Sequence, residues 1–287
     1  MCHLRTQRQK IRFAKMETCG NDHIFLENFN GEITCPESLC VSFCDRHHGI
    51  GADGIVLMEH SDVADARIRM YNADGSEGAM AGNALRSMGK YLYDNGIVDK
   101  EVMTIETNKG IKTVELHILG GKATSATVDM GYATVDVTAL GLDLPEKTVV
   151  DYPVDIAGST YRITCVDVGN PHCVVFCDRV DRVDVAAIGP QFEHAPYFPN
   201  RINTEFIRVV NPTTIKMRVW ERGSGETMAC GTGAIAAATA AIANGLCAKG
   251  TDITVKVRGG DLIVNYTDER VTLTGDTRLV YTGEAEY

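Results

Sequence analysis

The sequence predicts an α+β fold built from two copies of one domain. Three observations point there: a length that suits two domains, an internal repeat, and strand signals that outnumber helix signals without regular βαβ alternation. At 287 residues and 31.2 kDa the chain holds about two domains of roughly 150 residues. The repeat runs at a constant offset of 149. Gly20-Asn21-Asp22-His23 returns as Gly169-Asn170-Pro171-His172, each followed by an apolar run. Arg69 returns as Arg218, Glu77 as Glu226, Gly82 as Gly231, and Asn95-Gly96 as Asn244-Gly245. After one inserted residue, Thr104 and Gly110 return as Thr254 and Gly260. Curled, mostly antiparallel sheets fit this pattern better than a doubly wound sheet. The expected halves are residues 11–126, joined by 275–287 returning from the end of the chain, and residues 127–274.

The elements follow in chain order. Met1–Lys10 is polar and basic with no apolar stretch behind it, so it reads as a flexible leader and not a secretory signal. Thr34-Cys35-Pro36-Glu37 has capping-box spacing, and the helix it opens should carry Leu39, Cys40, Phe43 and Cys44 inward and stop at Gly49. Gly49-Ile50-Gly51-Ala52-Asp53-Gly54 spells a dinucleotide fingerprint. However, a helix precedes it and a strand (Ile55–Met58) follows, the reverse of what nucleotide binding requires. A helix through Leu85, Met88 and Leu92 should end at Asn95-Gly96. Ile111–Ile118 alternates like a half-buried strand, and Gly259-Gly260 between two apolar runs marks a hairpin.

Composition narrows the partners. No apolar run approaches the roughly 18 residues of a membrane span. A net charge of −10 argues against nucleic acid, whose phosphates require basic patches. A small polar or zwitterionic substrate fits better. Ten cysteines without a signal peptide suggest a reducing, cytoplasmic setting in which most serve as small core residues. Cys40, Cys44 and His47 lack the paired spacing of a zinc site, so no metal is expected. No lysine context suggests a pyridoxal Schiff base, and no cofactor is expected.

The most informative stretch runs from Glu221-Arg222 to Cys230-Gly231-Thr232-Gly233, where a strand (Ile215–Trp220) enters a polar loop that opens into an Ala-rich helix. A helix start offers free N–H groups and a positive dipole end, which suits a carboxylate and should depress the pKa of Cys230. The matching first-half stretch, Asn72 to Gly82-Asn83, opens a second helix of the same kind. If the two helix starts face one α-carboxylate, Asn21, Asn72, Asn170 and Asn203 would add directional hydrogen bonds. Arg222 would clamp a second carboxylate with its planar fork.

Together, Asn72–Glu77 with Gly82-Asn83, Gly169-Asn170-Pro171-His172, and Glu221-Arg222 through Gly233 resemble the diaminopimelate epimerase family, from about Arg12 to Tyr281. The resemblance implies two pseudo-symmetric halves, each a curled, mainly antiparallel sheet around a central helix, with the active site in the cleft between them. It implies a cofactor-independent isomerase that inverts the α-carbon of a diamino diacid with two cysteines, one on each face. By resemblance, Cys230 is catalytic, with His172 and Glu221 near the thiols. Asn21, Asn72, Asn170, Asn203, Glu221 and Arg222 hold the substrate, and Gly82, Asn83, Gly231 and Thr232 meet the reacting carboxylate. Tyr281 matches a tyrosine that supports a homodimer in some members.

The chain departs from the family at one decisive place. The first cysteine belongs at position 81, which here is Ala81; Ala84 and Ser87 are milder deviations. Three readings stand: a Cys→Ala replacement made to disable the enzyme or trap a ligand, a natural variant using another acid, or a binding protein that has lost catalysis. The intact first-half motifs favour the replacement. A cofactor-free racemase of another amino acid is a further alternative.

Overall fold

A computed structural model describes residues 10–78 and 82–286. The chain divides into two units, Met1–Val128 with Gly275–Tyr287, and Asp129–Thr274. In the first unit, β1 (Lys10–Thr18), β2 (Asn21–Glu27), α1 (Pro36–Cys44), β3 (Gly54–Glu59), β4 (Ala66–Asn72), α2 (Gly82–Asp94), β5 (Val102–Thr107), β6 (Gly110–Leu119) and β7 (Lys122–Gly131) follow in order. The second contains β8 (Tyr152–Ile156), β9 (Ser159–Asp167), β10 (Pro171–Phe176), α3 (Val185–Glu193), β11 (Asn203–Asn211), β12 (Thr214–Glu221), β13 (Gly225–Glu226), α4 (Gly231–Ala243), β14 (Asp252–Val257) and β15 (Gly260–Tyr266). The chain returns through β16 (Val271–Asp276) to β17 (Arg278–Glu286) in the first unit.

The repeat appears in the strand pairing. In the first unit β1–β2, β3–β4 and β5–β6 are antiparallel, while β2–β3 and β4–β5 are parallel. The second unit reproduces this as β9–β10, β11–β12 and β14–β15 antiparallel, with β10–β11 and β12–β14 parallel. The register is also shared, since His23 lies opposite Gly54 and His172 opposite Asn203. Gly20 and Gly169 both sit at φ +82°, a backbone state that glycine adopts without cost, in the turns before β2 and β10. The ladders extend to β17 beside β1 and β7 beside β6, and to β8 beside β9.

Each unit wraps its sheet around one 13-residue helix. Alanine is the strongest helix former, and its small side chain lets strands approach closely, which suits α4. Nine of its residues, Gly233 to Ala241, are buried against β9, β10, β11, β12, β14 and β15. Helix α2 packs on β1, β2 and β6 and buries Leu85, Met88 and Leu92, as its spacing predicts. Ser87, one of the sequence deviations, is buried between the hydroxyls of Thr18 (3.1 Å) and Thr277 (2.9 Å). Ala84 is a core residue.

Two local expectations are corrected. Helix α1 does not start from a capping box: its N-cap is Cys35, which makes no side-chain capping bond, and Ser38 reaches back to the Cys35 carbonyl instead. The helix ends at Cys44 and not at Gly49. There Asp45 captures the N–H groups of His47 and His48 (both 2.7 Å), which diverts the backbone from a further helical turn. The helix-then-strand order around Gly49–Gly54 stands, and the hairpin of β14 and β15 forms as predicted. Among the described residues, no helix is long and apolar enough to cross a membrane.

Candidate active site

The second unit carries the one expected catalytic cysteine among the described residues. Cys230 is the N-cap of α4, extended at φ −131° and ψ 116°. A residue in this conformation turns its side chain back over the first helical turn, where free N–H groups wait. Its Sγ accepts the Gly233 N–H at 3.3 Å and lies 3.5 Å from Thr232 Oγ1. The cysteine is buried, with 7% of its surface exposed.

The helix start alone suggests a depressed thiol pKa, and the structure overturns that expectation. Burial pushes the Cys230 thiol well above its ordinary value, and the carboxylates of Glu221 and Glu205 push it further. The bonds from Thr232 and Gly233 oppose this and do not outweigh it. A desolvated anion beside two like charges costs more than one helix end returns.

Three adjacent strands position the groups around the thiol. Glu221, at the end of β12, accepts the Thr227 hydroxyl at 2.5 Å and forms no ion pair with Arg222 among the described residues. His172, near the start of β10, is fully buried. Its Nδ1 is 2.7 Å from Glu205 Oε1 on β11, and its Nε2 is 3.1 Å from Asn170 Oδ1. The Asn170 amide in turn donates to Thr232 Oγ1 at 3.5 Å. An unbroken chain of contacts therefore leads from Glu205 through His172, Asn170 and Thr232 to Cys230.

Asn203 is buried, and both ends of its amide are engaged by backbone: it donates to the Pro171 carbonyl and accepts the Arg222 N–H, each at 2.9 Å. It thereby ties β10 to the loop bearing Arg222. Arg222 donates to the Asn200 carbonyl at 3.0 Å and is otherwise exposed, without a carboxylate partner among the described residues. Gly231 begins α4.

The first unit brings together Asn21 and Asn83. Asn21 donates to Asp53 at 2.8 Å and accepts from Asn83 at 3.3 Å. This matches the Asn170–Thr232 contact at the same places in the repeat. Asn83 also accepts from the buried Arg86 guanidinium at 2.7 Å, and Gly82 begins α2. Asn72 is exposed and bonds to Ser76 at 3.0 Å. Ala81 lies outside the described residues. Tyr281 is on β17, 43% exposed, with its ring edge-on to Phe13 at 5.8 Å.

Several residues that matter here escaped sequence reasoning. Asp53, sharing Arg46 with Asp22, braces Asn21. Glu193 receives the Trp220 indole N–H at 2.7 Å and the Gly223 N–H at 3.1 Å, anchoring the loop after β12. Glu205 follows Asn203-Thr204 and precedes Phe206-Ile207 in a strand segment buried at every position, and an acid set directly against that apolar pair was the available signal.

Known proteins resemble this chain over nearly its whole length. The diaminopimelate epimerase family profile matches residues 13–135 and 164–287. A diaminopimelate epimerase of Desulfovibrio desulfuricans is 46% identical over 282 residues, covering 96% of this chain and 98% of that protein. One from Methanococcus maripaludis is 41% identical, covering 96% and 100%. Among solved structures, a hydroxyproline epimerase from Agrobacterium vitis superposes with a TM-score of 0.70 at 14% identity, covering 99% of this chain and 94% of that one. A methylitaconate-delta-isomerase does so at 0.65 and 16% identity, covering 98% and 96%. At these identities the two structures speak for the fold alone.

Proposed function

The chain belongs to the diaminopimelate epimerase family of isomerases, and on that footing we propose that its site handles the α-carbon of LL- and meso-diaminopimelate, with Cys230 exchanging a proton on one face. The observation that carries this reading is the placement of Cys230: a buried thiol capping α4, faced by Glu221 and Glu205.

The chemistry follows from that placement. Without substrate, burial and two carboxylates keep the thiol protonated. The substrate's α-ammonium brings a positive charge that offsets those carboxylates, so thiolate forms only when it can act. A thiolate from a group with a raised pKa is also a stronger base toward a carbon acid. Sγ takes the α-proton, and the electron pair left on carbon delocalises into the α-carboxylate, which the N–H groups at the start of α4 stabilise. Arg222, braced through Asn203, meets the substrate's second carboxylate. Asn21, Asn72 and Asn170 orient the chain between the two ends. The reading requires no cofactor and places the protein in the cytoplasm, acting in lysine and peptidoglycan precursor synthesis. Tyr281 on the exposed face of β17 suits a homodimer contact.

Inversion needs a second acid on the opposite face, which the family pattern places at position 81. With Ala81 there, the expected outcome is loss of net epimerisation with retention of one half-reaction. In D2O the chain should wash deuterium into the α-position of the one stereocentre that presents its proton to Cys230. Mass spectrometry after incubation with each diaminopimelate stereoisomer reads this directly. Ala81→Cys should restore interconversion. Full turnover by the unaltered chain would overturn the two-thiol account, and absence of exchange with either isomer would overturn the role of Cys230.

A further inference from the structure

We propose that Glu205 is a positioning residue for the thiol-bearing half, locking the His172 imidazole so that Asn170 and Thr232 are held against Cys230. The Glu205 carboxyl is fully buried, and its Oε2 has no hydrogen-bond partner among the described residues. Folding alone gives no reason to leave a carboxyl oxygen buried and unmatched, since that costs free energy. The first unit shows that the fold does not need it, because the corresponding residue of the repeat is Val56, buried on β3. Only the half with Cys230 carries the acid.

The geometry also defines the proton. Asn170 Oδ1 can only accept, so His172 Nε2 donates to it, and the remaining proton lies between Nδ1 and Glu205 Oε1. Burial and Glu221 raise the Glu205 carboxyl while His172 lowers it, and the balance is upward. The α4 helix is shaped around this carboxyl: a Cβ on Gly233 would come 2.7 Å from Glu205 Oε1. The charged and titratable groups facing Glu205 are His172 and Cys173 from β10, Glu221 from β12, and Cys230 at the start of α4.

The inference leans on the proposed function for its purpose but not for its test, which needs no substrate. The full-length chain is compared with Glu205→Gln, which keeps the shape, and Glu205→Val, which copies the first half. Nitrogen-detected NMR of the imidazoles, with His172 assigned through His172→Gln, reads the shared proton. Iodoacetamide labelling of the Cys230 peptide across pH reads the thiol. In the unaltered chain the proton held between His172 Nδ1 and Glu205 Oε1 should exchange slowly with solvent. In Glu205→Gln that signature should vanish. The Cys230 profile should move to lower pH, labelling about 3- to 10-fold faster near neutrality, because the Glu205 carboxylate that raises the thiol is replaced by a neutral amide. A folded Glu205→Gln with an unchanged His172 spectrum and an unchanged Cys230 profile would overturn the proposal. Should both variants unfold, Gly233→Ala displaces the same carboxyl from the helix side and is held to the same two readouts. If these shifts occur while diaminopimelate shows no hydrogen exchange, the substrate assignment fails and Glu205 keeps its role.

Discussion

Replacing Gly233 with alanine tests how tightly the thiol, the helix start and the buried carboxyl are joined. Helix propensity alone would make Gly233→Ala stabilising by about 1 kcal/mol. The structure reverses that sign. The added Cβ would lie 2.7 Å from Glu205 Oε1, 3.2 Å from Cys230 Cβ and 3.3 Å from Cys230 Sγ. Overpacking a close site costs about 1–3 kcal/mol. Pushing Glu205 away from His172 strains a buried, charge-assisted hydrogen bond of about 1.5–3 kcal/mol. The net expectation is a loss of about 2 kcal/mol, or roughly 4–8 °C in Tm at about 2–4 °C per kcal/mol for a unit of this size. Trp220, the single tryptophan, lies in the same unit, so urea melts followed by its fluorescence report the transition. The decisive arm is the same substitution in a Glu205→Val background. The clashing oxygen is then gone, and the cost of Gly233→Ala should fall by at least about 1 kcal/mol, the scale of coupling between contacting residues. Equal cost in both backgrounds, or no cost in either, would refute this account of the site's packing.

Two further expectations can be checked with ordinary stability measurements. A Cβ on Gly189 would sit 2.4 Å from the Trp220 ring, so Gly189→Ala should cost about 2–3 kcal/mol and perturb the Trp220 emission maximum, whereas an unchanged melt would show that the ring has room to move. Burial favours protonation of Asp22, but hydrogen bonds from Arg46 and Lys15 outweigh it and hold the carboxyl well below its ordinary value. A carboxyl lowered in the folded state adds stability above its unfolded pKa of about 4 and loses it as pH falls. Asp22→Asn should therefore flatten the decline in Tm between about pH 5 and pH 3, and parallel curves for the two proteins would remove Asp22 from the acid sensitivity.

Much of this protein is written along the chain. The repeat of Gly-Asn-x-His and of the two helix openings depends on local rules: glycine where φ must be positive, alanine where strands crowd a helix, and alternation where a strand is half buried. Those rules act within a few residues, so β12, α4 and the hairpin of β14 and β15 lie where the sequence placed them. The capping box failed because the helix starts one residue later, at Pro36, which makes Cys35 and not Thr34 the N-cap and takes Glu37 out of the matching position. The overlong α1 failed because Asp45 captured the next two N–H groups. The chemical state of the site belongs to the tertiary structure. Cys230 at a helix start reads as a lowered thiol, yet Glu205 and Glu221 arrive from two other strands and the surrounding core excludes water. Asn203 reads as a substrate ligand, yet its amide is occupied by the backbone of Pro171 and Arg222. Burial and Coulomb interaction depend on distance through space, and residues 205, 221 and 230 become neighbours only when β11 and β12 pair and α4 packs on them.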